Sequence, residues 1–151
     1  MPLSDKSIVA IDDTHSILNF LRISLEAVGV HFHGAMTASG GLALCETHHP
    51  DIVVLDLGLP DREGFEILPR LRALNKDREM PVIVLTVRNS QEDRDRALNL
   101  GASAYITKPF EMSALLEVIC EKLGLPRPAY MPTYGTRADD EFPYGTPTVK
   151  H

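Results

Sequence analysis

The sequence predicts an α/β domain in which five short strands alternate with five helices, folded as a doubly wound, mostly parallel sheet. Three observations carry this. Runs such as DIVVL at 51–55 and PVIVL at 81–85 are continuously apolar, as in strands covered by helices on both faces. Between such runs the apolar residues return every three or four positions, the period of a helix with one buried stripe. Strand–helix alternation means βα units, and right-handed crossovers close these into a sheet flanked by helices on either side.

The elements follow in order. Asp12 and Asp13 close the first apolar run, 8–11, and put two carboxylates at the C-terminal rim of the sheet. Ile17, Leu18, Leu21, Leu25 and Val28 then form one helical stripe, with Thr14 at the N-cap and Gly29 where a C-cap glycine belongs. A weaker strand covers 30–35, through the alternation of Val30, Phe32 and Gly34. A short helix is expected after Ser39, through Leu42, Ala43 and Cys45, and His48, His49 and Pro50 stop it. The run at 51–55 ends at Asp56, and Gly58, Pro60 and Gly64 break up the loop that follows. Phe65, Leu68, Leu71 and Leu74 continue as a helix, although Pro69 sits just beyond its first turn and is expected to kink or loosen it.

The run at 81–85 ends at Thr86. Ser90 and Asp93 are a capping pair opening a highly charged helix through Leu100, which Gly101 ends. Ala104, Tyr105 and Ile106 read as the fifth strand, and Lys108, Pro109 and Phe110 as a turn. Met112, Leu115, Leu116, Ile119 and Leu123 mark the last helix, with Lys122 in its final turn and Gly124 at its C-cap.

A chain of 151 residues buries roughly two-thirds of its unfolded surface and needs no disulfide or structural metal to fold. Its formal charge of −6 argues against a bulk electrostatic grip on nucleic acid or on anionic lipid. Cys45 and Cys120 lie inside apolar helical patterns, with no C-x-x-C and no Cys/His zinc spacing, and read as buried thiols in a reducing compartment. The start has no apolar run of a signal peptide, and no stretch is long enough to span a membrane; a cytoplasmic location is expected. From residue 126 the character changes: Pro126, Pro128, Pro132, Pro143 and Pro147 appear with no helical or strand period. Residues 125–151 are therefore expected to be a proline-rich tail or the start of an interdomain linker. The tail's charges cancel, Arg127, Arg137 and Lys150 against Asp139, Asp140 and Glu141, so the whole −6 belongs to the folded part.

The polar strand ends converge in this fold. Asp12 and Asp13 end the first strand, Asp56 the third and Thr86 the fourth, and Lys108 follows the fifth. All five belong to one rim, where ligands gather in open α/β sheets. Three carboxylates there repel one another, and a divalent cation removes that penalty. An all-oxygen, carboxylate-rich set suits Mg²⁺ rather than Zn²⁺. Lys108 and Thr86 add an ammonium and a hydroxyl for an oxyanion. Metal, ammonium and hydroxyl together would stabilise a transferring phosphoryl group, with Asp56 as the nucleophile forming an acyl phosphate.

The stretches IVAIDDT, DIVVLDLGLPDREGFEIL, PVIVLTV and GASAYITKPF together closely resemble the receiver domain of two-component response regulators, over residues 6–124. The resemblance implies a flavodoxin-like (βα)5 sheet of strand order 2-1-3-4-5. It implies a phosphoacceptor at Asp56, and Mg²⁺ held by Asp12, Asp13, Asp56 and the backbone carbonyl of Gly58. Thr86 matches the switch threonine, Tyr105 the switch aromatic and Lys108 the family's lysine, with a cis Lys108–Pro109 bond. The implied partner is a histidine kinase or a histidine phosphotransfer protein that presents a phosphohistidine. The face made by the fourth helix, fifth strand and fifth helix is then expected to repack and be read by a partner or an output domain. An output domain in a longer parent chain and a phosphorylation-dependent homodimer are both open on this resemblance. Direct nucleic-acid binding by this segment is not expected. Such a domain catalyses its own phosphorylation and dephosphorylation, yet its product is a conformational state, so calling it an enzyme is partly a matter of definition.

Some positions depart from the common pattern. Gly58 has no side chain where many receivers carry one, Val87 stands where Ala or Gly is usual, and Arg88 places a cation beside the site. An unusual phosphate lifetime is the expectation. Glu63 replaces a common Asp, with a mild effect expected, and Gly64 is expected either to take a positive φ or to allow close packing. His15 lies near the acidic pair and is expected on a helix surface. Two rival readings are a receiver-like scaffold that is never phosphorylated and an aspartyl-phosphate hydrolase of small metabolites. The retained acidic residues, Thr86 and Lys108 oppose the first. The adjacent Asp12 and Asp13, in place of a first-strand D-x-D, oppose the second.

Overall fold

The structure, a computed structural model, describes residues 2–74 and 79–126. The elements are β1 Ser7–Ile11, α1 His15–Glu26, β2 His31–Ala35, α2 Ala38–His48, β3 Ile52–Leu55, α3 Gly64–Leu74, β4 Val82–Thr86, α4 Gln91–Asn99, β5 Ala104–Thr107 and α5 Met112–Lys122. The strands are all parallel and run in the order β2-β1-β3-β4-β5, as expected. Beyond Pro126 the expected proline-rich tail lies outside the described residues. Among the described residues no helix is long and apolar enough to cross a membrane.

The continuous apolar runs are explained by two cores, one on each face of the sheet. Ile8 and Ala10 of β1, Ile52 and Val54 of β3, and Ile83 and Leu85 of β4 face one core, which α1 and α5 close with Leu18, Leu21, Leu25, Leu115 and Ile119. Their alternate neighbours Val9, Ile11, Val53, Leu55, Val82 and Val84 face the other, which Cys45 of α2, Phe65, Ile67, Leu68 and Leu71 of α3, and Ala97 of α4 complete. Each buried Val, Leu, Ile or Phe contributes about 1.5–3 kcal/mol of transfer free energy, so a charge at any interior strand position would be costly. Polar side chains are therefore driven to the strand ends, where the site lies. Cys45 and Cys120 are both buried and free, as expected, and burial pushes the Cys45 thiol up to about 12.

Several boundaries differ from the sequence expectation. Thr14 occupies the N-cap of α1, but its side chain makes no capping bond; instead its N–H donates to Asp12 Oδ1. Helix α2 begins at Ala38 with Thr37 as its N-cap, ahead of the expected start after Ser39. Pro69 is tolerated within α3, which continues to Leu74. It is exposed there, while the apolar stripe on either side is buried. The Ser90 cap is as expected, its hydroxyl accepting from the Asp93 N–H at 3.0 Å. Gly29, Gly101 and Gly124 all take positive φ at helix ends.

Candidate functional site

Parallel pairing brings the ends of β1, β3, β4 and β5 to one rim, and backbone bonds fix them there. The Asp12 N–H donates to the Ala35 carbonyl at 3.0 Å, that of Asp56 to Ile11 at 2.9 Å, and that of Lys108 to Thr86 at 2.8 Å. These bonds lock the residues just past each strand to its neighbour. The Lys108–Pro109 bond is cis, as the resemblance implied.

The side chains converge from there. Lys108 Nζ donates to Asp12 Oδ2 at 2.7 Å and to Asp56 Oδ2 at 3.2 Å. Asp12 and Asp56 are nearly enclosed, at 3% and 8% exposure, whereas Asp13 is exposed at the mouth. Asp12, Asp13 and Asp56 each offer an oxygen, and these oxygens lie within 4.8 Å of one another. Burial raises the Asp12 carboxyl above its ordinary value, and the neighbouring Asp56 charge adds to this; the Lys108 and Thr14 hydrogen bonds only partly offset the two. Burial acts to lower the Lys108 ammonium, but its bond to Asp12 and the Asp56 charge outweigh that, so it is held above its ordinary value and stays protonated. One cation therefore faces three carboxylates. The surplus of negative charge and the hard oxygen donor set fit a divalent ion such as Mg²⁺.

Thr86, the last residue of β4, is buried at 1% exposure, and its Oγ accepts a long bond, 3.4 Å, from the Arg88 N–H. It stands on the same rim without bonding to the Lys108 cluster. Tyr105, on β5, is half-buried; its hydroxyl donates to the Arg88 carbonyl at 2.9 Å, and the Arg94 guanidinium lies 4.8 Å over its ring. Arg88 thus connects the two residues named as switch positions. Its guanidinium turns to Glu63 and Asp93, each at 3.9 Å, rather than toward the three carboxylates. Val87 is exposed at 69% and His15 is exposed at the start of α1, the surface place expected for it. Gly58 is exposed beside the pocket, its N–H 3.3 Å from Asp56 Oδ1, and a Cβ there would meet nothing within 4 Å.

Of the two expectations for Gly64, close packing is the one observed. A Cβ at this position would lie 2.7 Å from both the Asp56 carbonyl oxygen and the Leu57 Cα, and backbone atoms shift only at a cost. Gly64→Ala is expected to cost about 1–3 kcal/mol of stability, as overpacking does. Because the displaced backbone is that of Asp56, its carboxylate should shift relative to Lys108 as well. Urea unfolding and the amide chemical shifts of Asp56 and Lys108 check both, and a variant with wild-type stability would count against the contact.

One residue of this region had no signal in the sequence. Asp61 reads locally as a turn former beside Pro60, yet its carboxylate accepts from the Ala38 N–H at 2.8 Å, the Ser39 N–H at 3.0 Å and the Ser39 hydroxyl at 2.9 Å. Those partners hold its pKa down at about 2.

Comparison with known proteins agrees with this geometry. The sequence model for the response regulator receiver domain matches residues 8–120. The transcriptional regulatory protein KdpE of Mycobacterium tuberculosis is 43% identical over 109 residues, which are 72% of this chain and 47% of that protein. The chain spans about half the length of the curated relatives it matches. A CheY-like response regulator receiver domain protein from Methanospirillum hungatei superposes with a TM-score of 0.75 at 39% identity, over 80% of this chain and 95% of that one. A response regulator from Burkholderia pseudomallei, solved with a phosphorylated aspartic acid, a calcium ion and citrate, gives a TM-score of 0.69 at 27% identity, over 81% of this chain and 76% of that one.

Proposed function

Since the chain belongs to the response regulator receiver domain family, we propose that it is a phosphorylation-dependent switch that accepts a phosphoryl group on Asp56 from a phosphohistidine of a histidine kinase or phosphotransfer protein. One observation carries the reading: Lys108 Nζ bonds to both Asp12 and Asp56, while Asp13 brings a third carboxylate within 4.8 Å. The phosphorylated aspartic acid and calcium ion of the Burkholderia relative support it.

Asp12, Asp13 and Asp56 side chains with the Gly58 carbonyl would hold Mg²⁺. Bound there, the ion supplies charge neutralisation between the attacking carboxylate and the phosphoryl oxygens. The chain's own residues do the rest. An Asp56 oxygen attacks phosphorus in line, the bond to the donor imidazole breaks, and an acyl phosphate forms on Asp56. Lys108, already on the Asp56 carboxylate, pairs with the new phosphoryl charge. The Thr86 hydroxyl exchanges its long bond from the Arg88 N–H for a phosphoryl oxygen, a charge-assisted acceptor. Movement of Thr86 draws on the 86–88 segment, which holds the Tyr105 hydroxyl through the Arg88 carbonyl. Tyr105 is thereby released to turn inward, and the α4-β5-α5 face changes its packing. Water later hydrolyses the acyl phosphate and resets the switch. The names of the curated relatives support control of transcription as the output, through a further domain or a partner, with a phosphorylation-dependent homodimer as one way to deliver it.

The test is direct. The chain is incubated with a small acyl phosphate, with and without Mg²⁺, and its mass is followed over time. One phosphoryl group should appear only with Mg²⁺, map to Asp56, and decay. A chain whose mass never changes, and whose Thr86 and Tyr105 amides ignore beryllofluoride, would leave only the scaffold role.

Gly58 bears on the lifetime of the phosphoryl group. Because a side chain there meets open space, Gly58→Leu should leave stability within about 0.5 kcal/mol. It should also shield the pocket mouth and slow hydrolysis several-fold. Decay of the phosphorylated mass checks this, and an unchanged rate would show that water enters by another path.

A further inference from the structure

The start of α2 is a poor helix by itself. Its first turn reads Ser39, Gly40, Gly41, and each glycine costs about 1 kcal/mol against alanine in a helix interior. The N–H groups of residues 38–41 are nonetheless all satisfied. Thr37 Oγ1 accepts from the Gly40 N–H at 3.0 Å, and the Thr37 carbonyl accepts from Gly41 at 3.0 Å. The remaining two, Ala38 and Ser39, donate to the Asp61 carboxylate, which comes from the loop after β3.

That loop carries the Gly58 carbonyl. At its far end Gly64 is fixed, its N–H donating to the Leu57 carbonyl at 2.8 Å, and Glu63 reaches Arg88 at 3.9 Å. At Gly58 itself an added Cβ would meet nothing within 4 Å, and the N–H lies 3.3 Å from Asp56 Oδ1. The middle of the loop is held by the three Asp61 bonds. Helix α2 is a firm anchor because Gly41 lets its first turn sit directly on the Ile11 side chain. Ile11 is the residue before Asp12, and its carbonyl accepts the Asp56 N–H.

We propose that Asp61 is a positioning residue for the cation side of the pocket, tying the loop that bears Gly58 to α2 and so to the end of β1 that bears Asp12 and Asp13. This rests on the metal-dependent reading above. A carboxylate serving only as a helix cap would matter to α2 alone; one that positions the loop matters to the affinity of the pocket for its ion.

The experiment separates the two by stripping the same helix end in two ways. Asp61→Ala removes the link to the loop and Asp61→Asn weakens it, whereas Thr37→Ala removes the other cap and leaves the loop tied. Each variant of the 151-residue chain is titrated with Mg²⁺ alone and followed by amide chemical shifts, with amide hydrogen exchange at residues 58–62 and thermal melts alongside. Asp61→Ala should weaken Mg²⁺ binding about tenfold, as loss of an outer-shell partner does, and speed exchange in the loop. Asp61→Asn, which keeps the shape and one acceptor, should fall between and remain folded if the alanine variant does not. Thr37→Ala should lower the melting temperature while leaving Mg²⁺ affinity within about twofold. Equal weakening by Thr37→Ala and the Asp61 variants, or unchanged affinity in the Asp61 variants, overturns the proposal and leaves the proposed function standing. No Mg²⁺ response in the unaltered chain overturns both.

Discussion

Asp56→Asn is expected to abolish phosphoryl incorporation, lowering the rate by on the order of 10³-fold or more, because the amide oxygen is a far weaker nucleophile than the carboxylate. The fold should survive. The substitution is isosteric, the amide oxygen can still accept from Lys108 or the Gly58 N–H, and the change removes one of three crowded negative charges. Unfolding stability without metal should stay within about 1 kcal/mol of the unaltered chain. Mg²⁺ should bind more weakly, and beryllofluoride should no longer shift the amides of Thr86 and Tyr105. Mass measurement after exposure to an acyl phosphate, paired with urea unfolding, decides the matter. Undiminished incorporation would place the nucleophile on another residue.

Lys108→Met should produce two opposite changes. Lys108 supplies the counter-charge to Asp12 and Asp56, both nearly enclosed. Removing it leaves buried carboxylates uncompensated and should cost about 3 kcal/mol in the absence of divalent ions at neutral pH. Asp12 is already held above its ordinary value by burial, and loss of the ammonium raises it further. A carboxyl whose folded pKa is raised destabilises the fold above that value, and the penalty disappears as pH falls through it. The deficit of the variant should therefore shrink on acidification and on addition of Mg²⁺. Meanwhile the ammonium occupies an oxygen of each of two prospective metal ligands and repels a dication. Mg²⁺ should bind the variant about tenfold more tightly, about 1.4 kcal/mol. Phosphoryl uptake should drop even so, because the pocket loses the cation that meets the phosphoryl charge. Calorimetric Mg²⁺ titration of both proteins reads the sign: weaker binding in the variant would mean that Lys108 organises the carboxylates more than it competes with the ion.

The switch segment shows where sequence reasoning stopped. Val87 and Arg88 were visible as departures beside Thr86, but not what they do in space. Val87 points out at 69% exposure, and Arg88 turns toward Glu63 and Asp93 while its carbonyl holds Tyr105. Likewise the sequence offered two explanations for Gly64, and packing against the Asp56 and Leu57 backbone selects one. Thr14 takes the expected N-cap position, but its side chain makes no capping bond; its N–H donates to the Asp12 carboxylate. Helix α2 starts ahead of Ser39 because its first N–H groups are taken by the Asp61 carboxylate, more than twenty residues away in sequence.

By itself, the sequence determined the strand–helix alternation, the two-sided burial of the strands and the membership of Asp12, Asp13, Asp56, Thr86 and Lys108 in one rim. Those follow from periodicity and from the cost of burying charge, which are properties of short windows of chain. Only the tertiary structure decided which carboxylate oxygens Lys108 binds, where Arg88 and Tyr105 turn, and that Asp61 caps a helix lying earlier in the chain. Such contacts join residues far apart in sequence. Their geometry depends on side-chain directions and close approaches that exist only once both layers of helices have packed on the sheet.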